Sequence, residues 1–121
     1  MTYEEKSKIY AEEFGIEGLD IDSLFKMFNL VGVIWTASKV SNPNIKVYDV
    51  LNKVLKTEMP NEKGEMVEVP WDNFDSFKIP FSIQLEFLCN KNFFKPDSLG
   101  LNTLPEVISE INKTMKLWVP F

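Results

Sequence analysis

The 121-residue chain contains no arginine and no histidine, a single cysteine, and five glycines scattered along its length. Each shortage excludes something. Without histidine there is no Ser-His-Asp or Cys-His arrangement for nucleophilic catalysis. With one cysteine as well, the usual zinc sites are excluded. Without arginine the chain lacks the planar fork that grips phosphates and guanine edges through two parallel hydrogen bonds. All thirteen basic residues are lysines, outnumbered by eighteen acids for a net charge of -5. That balance argues against nucleic acid as a partner. Cys89 can form no internal disulfide, so the chain is not a disulfide scaffold. The glycines lack the spacing of a phosphate-binding loop. The longest apolar-rich run, Leu24 to Ala37, is broken by Lys26 and Asn29 and is too short to span a bilayer. The opening segment MTYEEKSKIYAEEF is polar and acidic, unlike a signal or transit peptide, and sets the cytoplasm as the expected compartment.

What is present is ordinary for a folded protein: 45% hydrophobic and 26% charged residues, with ten phenylalanines and three tryptophans. The length predicts one compact domain over residues 1–121, large enough to bury about two thirds of its unfolded surface. Four helices are expected. Thr2 and Glu5 have capping-box spacing and open the first, 2–14, whose narrow apolar face places it on the surface. The second, 22–40, follows the N-cap candidates Asp20 and Asp22. It is apolar around nearly its whole circumference, which makes it the central element. Gly32 in its middle marks a close helix contact. The turn Ser41-Asn42-Pro43-Asn44 opens the third, 44–56, with Val47, Leu51 and Val54 as its stripe. The fourth, 104–118, starts at the Thr103/Glu106 capping box and carries Leu104, Ile108, Ile111, Met115 and Trp118 on one face. Between the last two, residues 57–70 form either a long loop or a marginal hairpin with a turn at Asn61–Gly64. Then Phe81, Ile83, Leu85 and Phe87 alternate strictly with Ser82, Gln84 and Glu86, a period of two that predicts a small extended element near 79–88, against a helical rival in which Phe81, Leu85 and Leu88 share a face. The expected fold class is therefore α+β and mainly helical, with an all-α bundle as the alternative.

Few residues carry chemistry. Glu17, Asp20 and Asp22 are hard oxygen ligands close in sequence, but helix capping accounts for the aspartates, so no metal, cofactor or catalytic residue is assigned. Asp72 and Asp75 lie three apart, a spacing that suits solvated helix acids better than an acid–base pair. Cys89 beside an apolar run reads as a small hydrophobe. The chain is accordingly expected not to be an enzyme, the alternative being a metal-dependent one built on these acids. A second alternative is a helix-turn-helix DNA-binding regulator, in which helices 22–40 and 44–56 present Lys46, Lys53 and Lys56 to DNA.

The expected function is a protein–protein interaction module: an assembly factor, adaptor or inhibitor, of a size that suits a small viral or mobile-element accessory protein. Its partner is another protein or a second copy of itself, with no membrane involved. The candidate binding residues are aromatic, the type enriched at interface cores. Trp71, Phe74 and Phe77 sit among acids after the polar 57–70 segment, and Trp118 and Phe121 form an aromatic C-terminal tail.

Overall fold

The computed structural model describes residues 2–56, 58–69 and 75–118. Five helices and one two-stranded antiparallel sheet follow in the order α1 (Tyr3–Phe14), α2 (Ile21–Ser38), α3 (Val47–Val54), β1 (Glu58–Pro60), β2 (Met66–Glu68), α4 (Asp75–Asn90) and α5 (Leu104–Trp118). The class is mainly helical α+β, as the sequence predicts, but the extended element lies elsewhere. The region near 79–88 belongs to α4, and the strands are the hairpin at 58–68.

Local signals set most helix ends. The Thr2 hydroxyl accepts from the Glu5 amide, and Gly15 closes α1 in the left-handed conformation at φ 69°. Asp20 caps α2 with both carboxylate oxygens, accepting from the Ser23 amide at 2.8 Å and the Ser23 hydroxyl at 2.7 Å. At α5, Thr103 Oγ1 accepts from the Glu106 amide, while the Glu106 carboxylate reaches back to the amide of Asn102. The hairpin pairs Met59 with Val67, and its turn is held by Asn61 Oδ1, which accepts from the amides of Lys63 and Glu65.

Helix α2 is the central element, packed against α1, α3 and α5. Leu24, Met27, Phe28, Leu30, Val31, Ile34 and Trp35 are all buried. The Trp35 indole N–H donates to the Ile45 carbonyl at 2.9 Å, which ties the α2–α3 turn to the core. Gly32 does mark a close approach: a Cβ at residue 32 would lie at ordinary contact distance, 3.8 Å, from Leu85 of α4, but the tight contact is to a loop, since it would stand only 2.4 Å from Pro96 Cγ. On α5 Ile111, Met115 and Trp118 are buried as expected and Ile108 packs half-buried against the core; Val107 joins the buried stripe, and Leu104 is exposed. Asn112 is buried beside this stripe. Its amide donates to the carbonyls of Val54 and Ile108 and its oxygen accepts from the Lys56 amide, joining α5 to the end of α3.

Helix α4 is where pattern and structure part. Phe77, Phe81 and Leu85, four apart, are completely buried. Their rings meet the core from several sides: Phe77 lies 5.8 Å from Phe14 and 5.7 Å from Trp118, and Phe81 lies 4.9 Å from Phe28. Ile83 and Phe87, expected on the same buried face as Phe81 and Leu85, point outward. At 100° per residue, every second residue of a helix turns by 200°, so a helix that is apolar on two opposite sides spells the same alternation as a strand. The aromatic packing of the inner side decides for the helix, even though Pro80 cannot donate to the carbonyl four residues earlier.

Candidate interaction surface

The candidate residues read from the sequence divide into two groups. Trp71, Phe74 and Phe121 lie outside the described residues. Phe77 and Trp118 are core residues: Phe77 is 0% exposed and Trp118 is 7% exposed, edge-on to each other. In this conformation neither offers a surface, because the same apolar character that suits a partner is satisfied by the chain's own helices.

The acids also find roles within the fold. The Asp20 carboxylate is taken up in capping α2 and accepts from the Tyr3 hydroxyl at 3.4 Å. Burial pushes its pKa up, but the hydrogen bonds from Ser23 and Tyr3 outweigh that and hold it below the usual carboxylate value. No group of three or more metal-ligating acids or thiols comes together among the described residues. Asp72 lies outside them, and Asp75 accepts from the Tyr48 hydroxyl at 2.8 Å. Burial raises the pKa of the Cys89 thiol, opposed by nearby Lys39, so the reactive thiolate is disfavoured at neutral pH. Helix α3, the recognition helix of the DNA-binding alternative, is eight residues long, with Asp49 exposed among Lys46, Lys53 and Lys56.

A different surface comes together on α4. Asp75, Ile79, Ile83, Phe87 and Lys91 are four residues apart in turn and form one ridge along the outside of the helix. Lys91 follows the last helical residue, yet its amide still donates to the Phe87 carbonyl, so it continues the ridge. Ile79 is 50% exposed, Ile83 63% and Phe87 52%. Phe93, 73% exposed, leans on Phe87 with ring centroids 6.3 Å apart. Together the four side chains open a patch on the order of 500 Å², the size of the largest apolar patch on a typical monomer and often a functional one. Val40, Met66, Leu104 and Leu117, the other hydrophobes among the described residues that are more than half exposed, lie off α4: after α2, in β2 and at opposite ends of α5, single exposures of a kind normal for any surface.

The ridge borders a groove of about 720 Å³ between α1, α2 and α4, lined in part by Tyr3, Ile9, Phe25 and Gln84. Gln84 follows Ile83 directly and stands three residues before Phe87, so it joins ridge to groove. Its Oε1 is buried without a hydrogen-bond partner among the described residues. Phe25 closes the far side by stacking on Phe94 at 6.3 Å. Sequence reasoning missed this surface because Ile83 and Phe87 had been spent on a strand's buried face. The available signal was the i, i+4, i+8 spacing of Ile79, Ile83 and Phe87 beside that of Phe77, Phe81 and Leu85.

No helix among the described residues is long and apolar enough to cross a membrane. Comparison with protein-family models, with curated proteins and with solved structures finds no match to this chain.

Proposed function

We propose that the protein is a protein–protein interaction module that docks through the outer face of α4. The observation that carries this reading is the ridge itself: three half-exposed apolar side chains in register on one helix, extended by Phe93, when the opposite side of the same helix already supplies the core. Aromatic residues, phenylalanine among them, are enriched at interface cores, and Phe87 and Phe93 supply two on this face. The cytoplasm is taken as its compartment, supported by a lone free cysteine.

The test is a capture experiment from the native host with the full chain, comparing wild type, Ile83→Glu and Leu117→Glu. Leu117 is 76% exposed on α5, away from the ridge, and serves as the control. A partner recovered in stoichiometric amount by wild type and Leu117→Glu, and lost with Ile83→Glu at unchanged helicity, supports the reading. Partners retained by Ile83→Glu, including self-association, place docking elsewhere and sink it.

A further inference from the structure

We infer that the occupant of the α4 face is the α4 of a second copy of this chain, packed antiparallel about a two-fold axis passing beside Ile83. This rests on the reading that α4 is the docking surface, and it names the partner. The ridge begins with a carboxylate at Asp75, runs through Ile79, Ile83 and Phe87, and ends with an ammonium at Lys91. Laid against its own reverse, it is complementary at every step. Ile83 meets its own copy on the axis, Ile79 meets Phe87, and Asp75 faces Lys91, each pair occurring twice by symmetry. A parallel pairing would set Asp75 against Asp75 and Lys91 against Lys91. The antiparallel register is therefore selected by charge, and opposed helix dipoles favour it further.

The geometry suits the register. Ridges of residues four apart interlock when two helices cross at about 50°. Ile79 and Phe87 are separated by about 12 Å along the helix, enough for three layers of side chains. Exposure peaks at the middle residue, Ile83, where the axis falls. Glu86, which flanks the ridge, stands opposite Pro80 of the second copy in this register and not opposite a like charge. The chain's net charge of -5 still opposes association. With an apolar patch smaller than the roughly 800 Å² per partner of a standard interface, the dimer should be weak.

Sedimentation velocity of the full chain from about 5 to 500 µM tests this. Wild type should move from monomer to dimer mass across that range. Ile83→Glu, which sets two carboxylates face to face on the axis, should remain monomeric throughout, as should Ile79→Glu. Asp75→Lys and Lys91→Asp should each weaken association several-fold, and the double exchange Asp75→Lys/Lys91→Asp should recover it. Because Asp75 also receives the Tyr48 hydroxyl, each variant is checked by far-ultraviolet circular dichroism and thermal melting. A wild type that stays monomeric at the highest concentration overturns self-pairing, while loss of a captured partner on Ile83→Glu would still uphold docking through α4. A dimer indifferent to Ile83→Glu overturns both. A dimer that the double exchange does not restore overturns the antiparallel register.

Discussion

Replacing Gly32 with alanine sets two effects of similar size against each other, and the structure says which wins. In the middle of α2, alanine is favoured over glycine by about 1 kcal/mol of helix propensity. The new methyl group, however, would lie 2.4 Å from Pro96 Cγ and 2.7 Å from Pro96 Cβ, where carbon atoms rest at about 3.5–4.0 Å. The Pro96 ring would have to retreat by about 1 Å. A pyrrolidine ring cannot swing aside as a long side chain can, and its loop is anchored next door, where the Asp97 amide donates to Asn29 Oδ1 on α2 itself. Overpacking of this kind costs about 1–3 kcal/mol. The net expectation is that Gly32→Ala destabilises the protein by about 1 kcal/mol, despite improving the helix. A double-mutant cycle isolates the cause. Pro96→Gly removes both clashing atoms, so the alanine should then be neutral or stabilising, with a coupling of at least about 1 kcal/mol between the sites. Urea unfolding followed by far-ultraviolet circular dichroism gives the four free energies. Gly32→Ala as stable as wild type, or equally harmful with and without Pro96, would refute the close approach of the loop to α2.

Three further outcomes follow from the core and the helix ends. Phe77→Ala should cost about 3–5 kcal/mol in urea unfolding, since the ring is fully buried against Phe14, Phe81 and Trp118; a loss under about 1 kcal/mol would return Phe77 to the surface. Asn112→Ala should cost about 1–3 kcal/mol by removing the acceptor of the Lys56 amide hydrogen bond and the donor to the Val54 carbonyl, and should speed hydrogen exchange at the Lys56 amide, which an intact α3–α5 junction would leave unchanged. Glu110 is held below the usual carboxylate pKa by its hydrogen bond and ion pair with Lys26, overcoming a smaller opposing effect of burial. A depressed folded pKa stabilises the protein above about pH 5 and loses that contribution as pH falls through the folded value. Glu110→Gln should therefore lower stability at pH 7 by under about 1 kcal/mol, the pair being part-exposed, and by less as the pH falls and the carboxylate is protonated; an equal loss at neutral and acid pH would contradict the pairing.

Where local chemistry decides a helix end, the chain declares it. Thr2 with Glu5, Asp20 before Ile21, and Thr103 with Glu106 locate three helix starts to within a residue, because capping is a contact among neighbours in sequence. The core stripe of α3 is legible for the same reason, as a periodic pattern on a single side. The stripe of α5 is legible too, in Ile111, Met115 and Trp118; it departs only in the first turn, where Val107 is buried and Leu104 is exposed. The partner of Gly32 was illegible in principle. The glycine marks a close approach, yet nothing in residues 24–40 says that a loop proline from residue 96 makes it.

The opposite problem arises at Val69–Phe87, where the sequence holds more apolar residues than one face can use. Of the candidate aromatics Trp71, Phe74 and Phe77, Phe77 is drawn into the core. Of the four apolar residues whose alternation predicts a strand, Phe81 and Leu85 are core while Ile83 and Phe87 stand half open. Core and surface therefore divide around the helix axis, each side taking every fourth residue. Polar residues at 79, 83 and 87 would leave the packing of Phe77, Phe81 and Leu85 unchanged, since the two sets lie on different sides of the helix. The outer side can therefore be changed without repacking Phe77, Phe81 and Leu85, and a polar residue at Ile83 tests the proposed docking role without disturbing the fold.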